Sequence, residues 1–553
     1  MLILAMPIAS IGLSWLGVDA VQWGLMREMA ATVLPGYTLT TLALILMVAV
    51  GVGLLGCGCA VLIVMFDFPG KRWLTWALLL PLAMPAYVTA YAYTDFLQYS
   101  GWLQTTLREV LGLQGRMLPE IRSTGGAALV FIVSLYPYVY LLTRAALLER
   151  AGNLLEAAKL MGATPLDRLR RVALPLARPA IGAGIALALM ETLADFGVSS
   201  YFAVQTFSAG IYKAWLALDN PMLASQLATV LLVFVAIVLW LERRAQRRMR
   251  FASSKTTLAK PAAVAPTQLH GWASVLACAG VLLPIVLGFA APVLVMLHTL
   301  TSSGDDASTP VLSALDWAAN SAGLGILSAA MAVSIALVLA TQQRLRPSSF
   351  GKSVTQIVAL GYAVPGAVVV VGLLLPVLWL REFVPGTGFG AWLTGGIGGL
   401  LWAYMVRFVA VAMQSVDSGF TRIPNSFDDS AKLLGAKDGA IWRRVHWPLL
   451  RGPVAAAALL VAVDVMKELP ATLVLRPFNT DTLAVMTYQL ARDERLGEAA
   501  LPALALVVVG LIPIIWLSRQ LNNPATSLGV MLAGQQHERL GGLGLVNTHK
   551  KRG

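Results

Sequence analysis

The stretch Glu156-Ala157-Ala158-Lys159-Leu160-Met161-Gly162-Ala163 leads into Arg170-Arg171-Val172-Ala173-Leu174-Pro175. It returns 273 residues later as Asp429-Ser430-Ala431-Lys432-Leu433-Leu434-Gly435-Ala436, leading into Arg443-Arg444-Val445-His446-Trp447-Pro448. The offset is close to half of the 553-residue chain, so the molecule is a duplication. Each copy reads as a short helix, a turn, a second amphipathic piece and a proline. Gly162 and Gly435 allow the turn a positive φ or a close backbone approach. Pro175 and Pro448 are expected to stop the preceding helix and set where the next one begins. Glu156 and Asp429, near each helix start, are expected to complement the helix dipole. One such copy would equally suit an amphipathic helix lying on a membrane. Two in register point to rigid projections that dock in a partner's groove.

The surrounding composition says where those projections sit. Hydrophobic residues make up 58% of the chain and charged residues 12%, and the mean hydropathy is +0.73. Soluble proteins carry roughly 25% charged residues, so this chain could not cover a soluble surface. A disordered chain, a collagen-like rod, a disulfide-stapled secreted domain and a cytosolic enzyme are excluded. Apolar stretches of bilayer-spanning length are expected near 2–18, 38–66, 73–99, 125–148, 180–204 and 222–241. A second set follows near 272–298, 314–341, 355–380, 389–413, 453–475 and 500–518. The fold class is an all-α polytopic membrane protein with about 12 transmembrane helices, arranged as two parallel six-helix repeats. Met1–Val18 reads as a first span rather than a cleaved leader, because no basic segment precedes it.

The 41 Lys and Arg outnumber the 28 Asp and Glu. They gather in the loops after every second span and in the tail, which makes that face, and both termini, cytoplasmic. The domains are 1–241, a basic linker at 242–271, 272–520, and a tail at 521–553. Arg243, Arg244, Arg247, Arg248 and Arg250 open the linker, and beside a span they suit anionic lipid rather than nucleic acid. Cys57, Cys59 and Cys278 are isolated in apolar runs and read as small buried hydrophobes. The five histidines show no ligand spacing, so no stable metal site is expected.

Acidic residues inside apolar spans are costly and mark function or pairing. Asp95, Glu191, Asp195, Asp464 and Glu468 are the candidates for a translocation pathway. Glu191/Asp195 and Asp464/Glu468 are each spaced i,i+4, on one helix face, in the fifth span of each half. These carboxylates, with the phenols Tyr87, Tyr91, Tyr93, Tyr136, Tyr138 and Tyr140, are hard oxygen donors compatible with a hard cation. The competing expectation is that the carboxylates pair with Lys467, Arg476 or helix ends, and that the tyrosines form an interfacial belt. Gly351-Lys352-Ser353 has the tail of a phosphate-binding loop, but Arg346 stands where its first glycine belongs. The chain therefore binds no nucleotide itself, and no hydrolytic or redox constellation is visible, so it is not an enzyme.

The paired 156–175 and 429–448 segments resemble the EAA loop of the permeases of binding-protein-dependent ABC importers. The pattern maps onto Glu156, Ala157, Ala158, Gly162 and Pro175, and onto Asp429, Ala431, Gly435 and Pro448. In the second copy Asp429 replaces Glu, Ser430 replaces the first Ala, and Trp447 precedes the proline. Leu80-Pro81-Leu82-Ala83-Met84-Pro85-Ala86-Tyr87, Met190-Glu191-Thr192-Leu193-Ala194-Asp195-Phe196-Gly197 and Asp464-Val465-Met466-Lys467-Glu468-Leu469-Pro470 are similar to the ferric-iron uptake permeases in particular. The resemblance implies an inner-membrane permease whose loops dock a cytoplasmic ABC ATPase dimer. It also implies a periplasmic binding protein that delivers ferric iron, and ATP and Mg held by the ATPase, with no cofactor on this chain. Thiamine, phosphonate or a polyamine are the alternative cargoes. A secondary carrier using the four span-five carboxylates as an ion relay is the alternative from another class.

Overall fold

A computed structural model describes residues 2–112, 114–150, 152–253, 266–302, 310–383 and 396–521. Among them the regular structure is helical apart from one two-residue parallel pairing, Phe66–Asp67 with Thr267–Gln268. Among the described residues nine helices are long and apolar enough to cross a membrane. A tenth crossing is the bent pair Lys71–Ala83 and Ala86–Leu111, whose parts meet at 91°. The shorter apolar helices Met6–Gly17 and Gly366–Trp379 complete the set of twelve segments. Most of the tail, 522–553, and the linker centre, 254–265, lie outside the described residues.

The 273-residue repeat is carried into the backbone. Helices Gly152–Leu160 and Asn425–Leu433 are 9 residues each, and Leu174–Ala194 and Trp447–Lys467 are 21 each, all at that offset. The halves are not separate bodies. Helix Leu2–Ser14 of the first half packs on Gly366–Phe383 of the second, and Ala291–Ser302 of the second packs on Ala86–Leu97 of the first. Gly372 makes the first crossing feasible, because a Cβ there would stand 1.9 Å from the Pro7 carbonyl oxygen.

Four of the expected continuous spans are broken. The third span of each half breaks before a helix that begins just after Pro85 or Pro365. Met84, preceding Pro85, is extended at ψ 128, as the clash with a following proline ring requires. The fifth span of each half breaks at Asp195 and Glu468, which leave helical geometry at ψ 130 and 120. The chain resumes as the short helices Gly197–Tyr201 and Pro470–Leu475. Breaks inside a membrane are tolerated where the freed backbone groups find protein partners or line a cavity. In the two fifth spans a carboxylate supplies the partner, as described below.

Pro175 and Pro448 do not stop a helix. The chain runs helically from Pro165 to Ala194 and from Asp438 to Lys467. The missing proline N–H is absorbed by a wide π turn at Arg168–Ala173 and at Trp442–His446. The basic opening of the linker is helical. The sixth span continues as helix Pro221–Ser253 through its basic segment, and residues 266–271 return to pair with Phe66–Asp67.

Candidate translocation cavity and docking loops

The four breaks converge on one cavity of about 220 Å³ between the halves. Its walls include Tyr87, Tyr138, Glu191 and Asp195 from the first half and Tyr362, Arg407, Asp464, Lys467 and Glu468 from the second. The structure thus gathers four of the five candidate carboxylates. It leaves Asp95 out, at the contact between Ala86–Leu97 and Ala291–Ser302, where the Thr299 hydroxyl donates to its Oδ2 at 2.5 Å. Tyr91, Tyr93, Tyr136 and Tyr140 are buried away from the cavity rather than arranged as a surface belt. Tyr87 is buried as well, and its hydroxyl has no hydrogen-bond partner among the described residues.

Within each acidic pair the two members have different duties. Asp195 Oδ1 accepts from the backbone N–H of Val198 at 2.9 Å and of Ser199 at 3.4 Å, capping the helix that restarts the span. Glu468 does the same one half later, accepting from Ala471 N at 2.9 Å and Thr472 N at 3.0 Å. These caps satisfy donors that a broken helix would otherwise leave bare in the membrane. Glu191 and Asp464, one turn earlier, face the cavity. Glu191 accepts from the Tyr362 hydroxyl at 2.9 Å, while Asp464 carries no hydrogen bond or salt bridge among the described residues.

Both cations of the cavity belong to the second half. Arg407 Nη1 meets Glu468 Oε1 at 2.8 Å, with both side chains largely withdrawn from solvent. Lys467 Nζ donates to the Leu82 carbonyl at 3.1 Å, tying the second half to the broken third span of the first. Their counterparts at the 273-residue offset are Ser134 and Ala194. Arg476, the other expected partner, pairs instead with Asp481. Arg407 and Tyr362 were not singled out from the sequence. Arg407 was detectable, because a lone Arg in an apolar stretch carries the same cost as a lone carboxylate.

The candidate docking loops lie at the opposite ends of the fourth and fifth spans from the cavity breaks. Their glycines owe their place to conformation and not to crowding. Gly162 and Gly435 adopt φ 81 and 80 with nothing within 4 Å of a built Cβ. Around them Ala163 N bonds Ala158 O and Ala436 N bonds Ala431 O, both at 3.0 Å, the left-handed helix stop that glycine makes without strain. Each helix begins four residues before its motif, so Glu156 and Asp429 lie beyond the first turn. They do not complement the dipole start; in the second loop the first-turn acid is Asp428. The tips are apolar and bare: Leu160 is 85% exposed, Met161 80%, Leu433 89% and Leu434 88%. Matched apolar tips of this kind mark a contact surface.

Residues 51–251 and 332–523 match the family described as "Binding-protein-dependent transport system inner membrane component". The chain belongs to that family. The permease is 24% identical to the Fe(3+)-transport system permease protein FbpB 2 of Haemophilus influenzae, over 83% of its own length and 85% of that protein's. It is 32% identical to the inner membrane ABC transporter permease YdcU of Escherichia coli over 30% of its length and 58% of that protein's. It is 29% identical to the sulfate permease CysT of Salmonella typhimurium over 33% of its length and 65% of that protein's. The chain is therefore a fused two-unit ABC importer permease of the inner membrane, and such permeases are not themselves enzymes.

Proposed function

We propose that this permease carries ferric iron from a periplasmic binding protein to the cytoplasm. The carrying observation is a likeness to a ferric permease that runs through both halves, joined to a cavity in which four carboxylates outnumber two cations. A hard cation suits that oxygen-rich lining. Sulfate or phosphonate, the cargo named for shorter relatives, would meet an excess of like charge. Thiamine and polyamines are organic cations and remain the rivals that the experiment must separate.

In this reading the two apolar loop tips seat in a cytoplasmic ATPase dimer, which holds the ATP and Mg. ATP-driven closure of that dimer moves residues 156–175 and 429–448 together. The spans continuous with them then alternate the cavity between the two faces. Asp195 and Glu468 hold the broken spans in shape, and Glu191 and Asp464 offer charge to the passing cation. The clustering of basic residues on the docking-loop side supports cytoplasmic termini.

The test is radiolabelled ferric iron uptake in cells lacking the chain, with and without complementation. Excess thiamine, phosphonate, polyamine and sulfate serve as competitors. Restored, ATP-dependent uptake that ignores all four competitors is the expected result. Unchanged iron uptake in cells with other iron routes disabled would discard iron as the cargo. Uptake that survives ATP depletion but collapses with an uncoupler would indicate an ion-coupled carrier instead.

A further inference from the structure

The two docking loops share their tips but not their seats. Beneath the second loop, Asp428 is buried at 6% exposure and joins two side chains from distant elements. Its Oδ2 accepts from Arg344 Nε at 2.7 Å, and its Oδ1 lies 2.8 Å from His446 Nε2. Arg344 stands at the end of the second half's second span, helix Val311–Leu345, and its Nη2 also donates to the Ile423 carbonyl at 2.9 Å. His446 is fully buried in the π turn that leads into the fifth span, edge-on to Phe420. One guanidinium fork therefore fastens the docking helix, the end of the fourth span and the end of the second span to one another.

Among the described residues the first loop has no such fastening. At the 273-residue offset Asp428 becomes Leu155, His446 becomes Ala173 and Phe420 becomes Leu147, all buried and apolar. Arg344 becomes Lys71, which turns to the Phe66 carbonyl at 2.6 Å. The first loop's polar tie runs elsewhere, from Arg168 Nη2 to Thr267 Oγ1 at 3.2 Å, at the end of the linker.

Apolar contacts are non-directional, so a loop seated on them can pivot at little cost. Hydrogen bonds from a planar guanidinium are directional, and a buried ion pair fixes orientation more than it adds stability. We propose that Arg344, Asp428 and His446 are positioning residues that make the second docking loop a rigid lever. They transmit its displacement to the second and fourth spans, while the first loop pivots on its apolar seat. The proposal rests on the reading of both loops as ATPase-docking sites.

The experiment uses full-length permease purified with the ATPase that accompanies it and reconstituted in liposomes, with ferric iron as the probe. A triple variant, Arg344→Met with Asp428→Leu and His446→Ala, gives the second loop the apolar seat of the first. It leaves no buried charge unpaired. Expected is near-normal ATPase co-purification and hydrolysis, with iron taken up per ATP reduced about tenfold, within the range of site-to-site coupling energies. A triple variant that moves as much iron per ATP as wild type would show a packing role only and overturn the proposal. Arg344→Lys keeps the charge but loses the fork, so the fold is spared. It should lower uptake per ATP by a smaller factor, and full coupling in it would also overturn the proposal. Failure of the wild-type permease to co-purify any ATPase would instead sink the docking reading beneath it.

Discussion

The first and second halves of this permease share their loop helices, fifth spans and span breaks, and they distribute charge differently. Both break their fifth span at a carboxylate, Asp195 or Glu468, and both use it to cap the helix that follows. Among the described residues, only the second half brings cations to the cavity, Arg407 paired with Glu468 and Lys467 on the same wall as Asp464. Among the described residues, only the second half seats its docking loop on a buried ion pair, Arg344 with Asp428. The first half thus presents carboxylates without their own counter-charge to the cavity, and a docking loop whose seat at Leu155 and Ala173 is apolar. Duplication supplied the frame, and divergence between the halves made one wall charge-balanced; in the proposed function the other wall is the one that meets a cationic cargo.

The sharpest way to break this comparison is to remove equivalent carboxylates. Glu468→Ala strands Arg407 in a nearly dry site, and losing one member of a buried pair costs about 3–5 kcal/mol. The expected outcome is a large fall in folded permease in the membrane, measured by fluorescence-detected size exclusion. The docking glycines come next, and here the halves should agree. Val at 162 or 435 must adopt φ near 80, a strain of about 1–2 kcal/mol for an L-residue. Both variants should reach the membrane and lose uptake. Asn, which tolerates that geometry, should retain most of it. If Gly162→Val transports normally, the left-handed stop is not what the loop needs. Asp195→Ala removes a cap but strands no cation, so the expected loss of stability is about 1 kcal/mol. A loss as large as that of Glu468→Ala would erase the asymmetry.

The smallest effect concerns pH. Burial alone would raise the Asp428 carboxyl, but the Arg344 and His446 hydrogen bonds outweigh it and hold it below its ordinary value. A carboxylate depressed by folding stabilises fully above its unfolded pKa of about 3.9 and loses that contribution as pH falls through the folded value. Protease protection of residues 423–448 should therefore show no Asp428-dependent loss from pH 8 to 5. An acid-induced opening within that window, absent from Asp428→Asn, would contradict the seat as described.

Much of the frame was legible because a repeat fixes two structures at once. The 273-residue offset located both docking helices and both fifth spans, and hydropathy located the twelve apolar segments. The breaks were not legible from hydropathy, because apolar residues continue on both sides of Asp195 and Glu468. Their signal lay in the carboxylates, for which pathway charge and pairing with helix ends were competing expectations; Asp195 and Glu468 do meet helix ends. Arg344, Asp428 and His446 were missed because sequence separations of 84 and 18 residues hide their meeting. A position-by-position comparison of the repeats offered the clue: Asp428 and His446 fall in register with Leu155 and Ala173. A polar residue replacing a buried apolar one demands a partner.

The central claim is that the unbalanced first-half wall carries the cargo's charge, and Glu191→Gln tests it most directly. The substitution keeps an acceptor for the Tyr362 hydroxyl and removes only the charge. Ferric iron uptake should fall about tenfold, the scale of one coupling interaction, with membrane level and ATPase co-purification unchanged. Undiminished iron uptake in Glu191→Gln would contradict the account, leaving the acidic pair as scaffolding for the broken span.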